Sequence, residues 1–305
     1  MKLEGLHHIT AITGDAPRNV DFYVRVLGLR LVKRTVNQDD PTVYHLFYAD
    51  EHGSAGSDLT FFEYPNARPG KAGAGMVCRI AHRVASVEFW ADRLGSEGVA
   101  VESVDGALRF SDPEGLEHEL VEVDVPDEPL RARSTEIPDE HALQGFHAVY
   151  AQVPNVGRSA ALLTSVMGAV GEGSTFEVRG ARRGSLIHLS DGAGRGVGGA
   201  GTVHHIAWAA QMDEHVAWRE RIVEAGRSIT PVIDRFYFRS VYFREPGGVL
   251  YELATLGPGF TTDEPAESLG EHLALPPDFE HVRAQVEPVL TPLPDVRQWR
   301  PAPVG

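Results

Sequence analysis

The chain has 305 residues, 42% of them hydrophobic, and a formal net charge of −15; that is enough for one large or two ordinary domains, and the acidic balance excludes a phosphate-tracking nucleic-acid surface. Its one cysteine, Cys78, rules out an intrachain disulfide and sits in the apolar stretch MVCRIA, where a buried strand thiol stays protonated and inert. No stretch approaches the ~20 apolar residues that span a bilayer, and the N-terminus lacks the apolar run of a secretory signal, so a cytoplasmic protein with no membrane partner is expected.

Along the chain, four segments repeat one plan: a strand, an amphipathic helix ended by glycine, then several strands. The first opens with LHHITAIT (6–13) and continues into a helix, GDAPRNVDFYVRVLGL. Asp15 is its expected N-cap, Pro17 falls in the first turn, Gly28 closes the end, and Val20, Val24 and Leu27 share one face. Strands are expected at YHLFYAD and DLTFFEYP. The glycine-rich ARPGKAGAG (67–75) then reads as a connector, lacking the residue order of a phosphate loop.

The second unit runs from GMVCRIAHRV through SVEFWADRLGSEG to RFSDPEGLEHELVEV. A polar, proline-marked stretch, residues 124–144, reads as a linker between an N-terminal half (1–123) and a C-terminal half (145–257). The third unit opens with GFHAVYAQV and continues through NVGRSAALLTSVMG, TFEVRG and SLIHLSD; the glycine run 191–201 follows as a connector beside a candidate site strand. The fourth opens with VHHIAWAA (203–210), passes through DEHVAWRERIVEAG and ends with VYFREPGGVLYELAT. Residues 258–305 form an acidic, proline-rich tail, in which PPDFEHVRAQVEPVL suits a short surface helix.

The unit ends align. DPEGLEHEL (112–120) matches EPGGVLYEL (245–253) without a gap, placing Glu119 opposite Glu252, and LTFFEY puts Glu63 at the corresponding position of the first unit. Four βαβββ modules of this kind resemble the vicinal-oxygen-chelate superfamily, which contains glyoxalase I and the extradiol ring-cleaving dioxygenases. The resemblance covers about residues 3–256 and implies an α+β fold in which paired modules form two cupped eight-stranded barrels, with a metal bound between first and last strands.

Imidazole and carboxylate ligands suit iron, manganese, zinc or nickel, and two histidines with one carboxylate on one metal face leave room for substrate and oxygen. The second histidine of each pair, His8 and His205, holds the same repeat position; unit three has Ala148 there, and unit two has no histidine. That distribution favours modules 1 and 4 sharing the metal barrel, with modules 2 and 3 forming a barrel without a site. Neighbouring strand residues face opposite ways, so the sequence alone does not choose which histidine of a pair is the ligand.

Further stretches, LHHITAITGDA, FYVRVLGLRLVKRTVN, YHLFYAD, VHHIAW, DRFYFRSVYFREPGGVLYE and GFTTDEPAESLGEHLALP, are most similar to the hydroquinone-type ring-cleaving dioxygenases. That resemblance implies His8, His205 and Glu252 as ligands of Fe(II), with Mn(II) as a substitute. It also implies site roles for His204, Thr10, Tyr242 and Arg235, and the ring-opening of a hydroquinone or catechol-like aromatic by O2. A second reading is a glyoxalase-type isomerase holding Ni or Zn with His8, Glu63, His205 and Glu252. A third is a binding protein that sequesters a small molecule. His45, His147 and His188 are read as structural, residues 236–238 (FYF) as candidate pocket lining, and a homo-oligomer is compatible with the chain.

Overall fold

The computed structural model describes residues 1–301. The first module contributes β1 (Leu6–Thr13), β2 (Arg30–Asn37), β3 (Asp40–Ala49) and β4 (Asp58–Glu63). The second contributes β5 (Met76–Val84), β6 (Val101–Val104), β7 (Ala107–Ser111) and β8 (Glu117–Glu122). The third contributes β9 (Phe146–Val153), β10 (Val170–Glu172), β11 (Thr175–Arg179) and β12 (Gly184–Asp191). The fourth contributes β13 (Thr202–Ala210), β14 (Ile233–Asp234), β15 (Phe238–Arg244) and β16 (Leu250–Pro258).

These strands form two eight-stranded sheets, ordered β14-β15-β16-β13-β1-β4-β3-β2 and β10-β11-β12-β9-β5-β8-β7-β6. One sheet is therefore modules 1 and 4, the other modules 2 and 3, as the ligand distribution requires. Each curls into a cup without closing its edges by strand pairing. The joint in each cup is an antiparallel pair of first strands, β1 with β13 and β5 with β9. No helix among the described residues is long and apolar enough to cross a membrane.

Each module's helix follows its first strand and covers the sheet. Helix α1 (Ala16–Val20) is capped by Asp15, whose carboxylate accepts from the Arg18 amide. The sequence suggests that α1 continues as a plain amphipathic helix. Instead Asp21–Val26 widens into a π turn in which the Leu27 amide reaches the Phe22 carbonyl. The Tyr23 hydroxyl then lies in the core, 3.0 Å from both Asp112 Oδ2 and His118 Nε2, so the widened turn ties module 1 to module 2. Helices α2 (Val87–Ser96) and α3 (Val156–Ser165) are capped by Ser86 and Asn155, and α4 (His215–Glu224) has no side-chain cap. Trp90 of α2 and Trp218 of α4 are buried with Trp208 of β13 in one continuous apolar core that reaches both cups.

Cys78 is half-buried rather than buried, its thiol pointing to the Tyr150 carbonyl. The 124–144 linker is packed down: Asp127 is buried and paired at 2.6 Å with both Arg83 and Arg179. The tail folds into short helical turns over Pro277–Val289 and buries Leu273, Val286, Leu290 and Val296.

The two glycine-rich connectors are the crossovers between cups, and they lie against each other. Pro69 bridges to Ala200, Lys71 to Val197 and Ala74 to Arg195. A Cβ on Gly73 would sit 2.6 Å from the Gly194 carbonyl oxygen and 2.8 Å from the Gly196 amide nitrogen, so the approach of the two backbones requires glycine there. Gly73→Ala is expected to cost about 1–3 kcal/mol through this overlap, whereas a Cβ on Gly194 meets nothing within 4 Å and Gly194→Ala should leave thermal unfolding close to wild type. Comparing the two unfolding curves checks the contact.

Candidate metal centre

The β1–β13 pairing sets Thr10 opposite His205 and Ile9 opposite Ile206, which brings together histidines 197 residues apart. In parallel register Glu252 on β16 stands beside Ala207 on β13, so its carboxylate enters the same cup. His8 Nε2 lies 3.2 Å and His205 Nε2 2.9 Å from Glu252 Oε2, and the two Nε2 atoms are 3.4 Å apart. Among the described residues these three form a metal-competent group of histidine and acid ligands, all buried.

Three observations fit a divalent ion here. Donors bound at about 2.1 Å stand about 3.0 Å apart around an octahedral centre and about 3.4 Å apart around a tetrahedral one, which brackets the observed spacings. Glu252 Oε2 is buried with no hydrogen-bond partner, a costly state for a carboxylate oxygen unless a cation or proton meets it. Its other oxygen, Oε1, accepts from Ser240 Oγ at 2.5 Å, which fixes the carboxylate plane.

The paired histidines have a physical reason. The Thr255 carbonyl can only accept, so His7 Nε2, 3.1 Å away, carries the proton. Burial drives the His7 pKa down to about 3, so the ring is neutral and its Nδ1 accepts. The donor is then His8 Nδ1 at 3.0 Å, which leaves the lone pair of His8 on Nε2, facing Glu252. His204 meets His205 in the same way, Nδ1 to Nδ1 at 2.8 Å. Each pair is a ligand with its own orienting neighbour. A register shift in β1 between Leu6 and Ile9 turns His7 and His8 toward each other, against strict alternation.

The cavity over the triad is lined by Thr35, Asn37, Gln38, Asp39, His45, Phe47, Phe62, Arg235, Tyr237, Phe238 and Tyr242. Tyr242 pairs with Glu252 across the β15–β16 ladder, and its ring stands 5.7 Å from and perpendicular to that of His205. Burial raises its hydroxyl pKa, so it stays protonated. The Arg235 guanidinium lies 5.7 Å from the Tyr242 ring centroid and reaches Asp39 with both terminal nitrogens, at 3.2 and 3.0 Å.

Four residues stand differently from the sequence reading. Glu63 is not equivalent to Glu252. Thr10 is the repeat partner of Ala207, and the β1–β4 ladder sets Thr60 beside Thr10 and Glu63 beside Thr13, three residues further on. Glu63 instead accepts from the Thr291 hydroxyl and the Ala16 amide, at the start of α1 and outside the triad. His45 is not merely structural: it faces the cavity, with Nε2 2.9 Å from Thr60 Oγ1, and burial holds its ring well below the usual pKa. Thr10 accepts from Thr60 Oγ1 at 2.8 Å behind the cavity wall. His204 is exposed and lines a separate groove with Arg244 and the 192–198 segment, so it meets His205 but not the cavity. The glycine run 191–201, read as a connector, borders that groove.

The second cup shows what the site becomes without its ligands. Glu119 stands beside Ala81 as Glu252 does beside Ala207. Arg79 and Ala148 hold the positions of His205 and His8. Glu119 is neutralised by Arg79 at 3.3 Å and Arg109 at 2.7 Å, and accepts from Tyr150 Oη at 2.5 Å. The fixed cation replaces the metal. His188 stacks on Tyr150 with ring centroids 4.5 Å apart, and His147 keeps an unpartnered Nδ1, with neither near a triad.

Residues 5–120 match the model of the Glyoxalase/Bleomycin resistance protein/Dioxygenase superfamily. The chain is 41% identical over 310 residues to a Bacillus subtilis protein named "Putative ring-cleaving dioxygenase MhqO", covering 97% of this chain and 98% of that one. It is 32% identical over 308 residues to the chlorohydroquinone/hydroquinone 1,2-dioxygenase of Sphingobium indicum, covering 93% and 95% of the two chains. A crystal structure titled as a putative dioxygenase from Bacillus subtilis superimposes with a TM-score of 0.90 at 40% identity, covering 96% of this chain and 98% of that one.

Alanine at His8, His205 or Glu252 is expected to abolish stoichiometric binding of a divalent metal, while Glu63→Gln retains one ion per chain. Metal analysis of the purified variants checks both. Metal lost from Glu63→Gln would restore the four-ligand reading.

Proposed function

The chain belongs to the glyoxalase/bleomycin resistance protein/dioxygenase superfamily, alongside its ring-cleaving dioxygenases, and from that premise we propose that it is an Fe(II)-dependent dioxygenase that opens the ring of a hydroquinone-type aromatic. The observation that carries this reading is the buried triad of two imidazoles and one carboxylate, with no fourth histidine or acid ligand beside it among the described residues. At the repeat position where a glyoxalase-type set would need a second glutamate, the first module has Thr60, whose hydroxyl is engaged with Thr10 and His45. A binding protein without chemistry has no need of the triad.

His8 Nε2, His205 Nε2 and Glu252 Oε2 would hold the metal, with His7, His204 and Ser240 fixing their orientation. Bound there, Fe(II) would supply a Lewis acid that lowers the pKa of an aromatic hydroxyl and a one-electron centre able to activate O2. One carboxylate and two neutral imidazoles leave the centre with net positive charge, which favours a phenolate. Phe47, Phe62 and Phe238 form the apolar walls that seat a ring and exclude bulk water.

Proton handling divides among the remaining side chains. Tyr242 keeps its proton at Oη and donates to an oxygen on the substrate. His45 is neutral because it is buried, so its ring can accept the proton that a substrate hydroxyl gives up. Arg235 places a fixed positive charge over the cavity, where negative charge develops on the opening ring. Thr10 acts at one remove, through Thr60 and His45.

Anaerobically loaded Fe(II) protein is expected to consume oxygen on addition of methylhydroquinone, in proportion to the loss of aromatic absorbance, and to do so faster than with catechol. No uptake with any diphenol, from protein carrying full iron, overturns the proposal. Tyr242→Phe should lower kcat by about a hundredfold or more at unchanged iron content, the scale of a lost proton donor.

A further inference from the structure

The narrow metal cavity, about 40 Å³, is backed by a second pocket of about 560 Å³ by the same measure, and the two share a wall. Tyr237 and Phe238 line both.

The two wall residues are held in different ways. Tyr237 Oη donates to Asp263 Oδ2 at 2.8 Å. Asp263 is paired at 2.7 Å with Lys33, a fully buried lysine whose ammonium lies 4.7 Å from the Tyr237 ring centroid. Tyr237 is therefore pinned through the tail. Phe238 has no polar anchor on its side chain. Its ring rests on those of His7 and His8, with centroids 5.2 and 5.1 Å away, and the β15–β16 ladder is interrupted between Phe238 and Ser240.

The second pocket can receive an apolar group. Phe260, Leu130, Leu256 and Ala55 form its walls, with glycines that leave space. Two of the charges along its border are already engaged: Glu4 accepts from the Arg182 amide and Gln211, and Arg183 donates to the Glu128 and Gln144 carbonyls. An apolar side chain turning into this space gives up no hydrogen bond.

We propose that Phe238 is the movable partition of the substrate site. Turned into the second pocket, it joins the two spaces, and the joined space seats an apolar substituent, alkyl or fused-ring, on a hydroquinone held at the metal. This specificity rests on the function proposed above. A hydrophobic pocket discriminates by about 10–200-fold for a methylene-sized change, so the size of residue 238 sets which ring substituents are accepted.

The test is anaerobic calorimetric titration of Fe(II)-loaded wild type, Phe238→Ala and Phe238→Trp with hydroquinone and with tert-butylhydroquinone. Relative to wild type, Phe238→Ala should raise the preference for tert-butylhydroquinone over hydroquinone by about tenfold or more, and Phe238→Trp should lower it by a similar factor. Equal changes for both ligands, or none, overturn the partition. Xenon-pressurised crystals of metal-free wild type and Phe238→Ala give a reading that needs no catalysis or iron. Xenon filling a space continuous from the second pocket to the triad in Phe238→Ala supports the partition, and xenon confined to the second pocket in both proteins overturns it. If the wild type binds neither hydroquinone, the dioxygenase reading fails and the xenon result alone decides the partition.

Discussion

The site depends on one antiparallel strand pair. Where β1 lies against β13, the first and last modules become one cup and two distant histidines become neighbours. Glu252 is placed beside them by the next ladder along. A buried carboxylate would not persist there alone. Its oxygen and the two imidazole nitrogens that face it form one donor set for a cation, and the imidazoles are oriented in turn by the preceding histidines and, for His8, by the Thr255 carbonyl beyond His7. The geometry needed to hold a metal is therefore fixed by backbone pairing and, at His8, by hydrogen bonds that can run in one direction only.

The second cup is a control within the same molecule. It has the same ladder, the same glutamate position and the same curvature, but an arginine replaces one histidine and an alanine the other. Glu119 is then satisfied by guanidinium groups and a phenol. At this ladder position the second cup gives its glutamate fixed positive charge while the first offers a donor set for an ion, and two strand positions decide which.

The repeat and the pairing of modules 1 and 4 were legible in the sequence because they leave periodic traces, paired histidines at one repeat position and a Pro-Gly turn before Glu252; which histidine of each pair faces the cup came from the family resemblance alone. Glu63 was misplaced because LTFFEY has no such turn to anchor it, and a three-residue slip keeps a plausible strand pattern. The bulge that lets His7 orient His8 has no signature in LHHITAIT, since alternation predicts opposite faces. Residues 236–238 were expected in the pocket lining, and Tyr237 and Phe238 line it; the place of His45 depends on contacts between elements far apart in sequence, which local pattern does not encode. The π turn at Asp21–Val26 is likewise a tertiary effect: the helical pattern is regular, and the demand comes from Asp112 and His118 in the next module.

The topology is nested: the second cup occupies one unbroken run, from Met76 to Asp191, and the first cup is split around it. During synthesis from the N-terminus, domains form as their segments emerge. The metal-free cup can therefore close while β13 and β16 are still unmade, and β1 must wait unpaired on the side it will later share with β13. The nascent chain thus has no triad, and no complete donor set for a metal, until Glu252 has left the ribosome. The earlier cup has by then become a finished scaffold that carries both crossovers to the place where the last module docks.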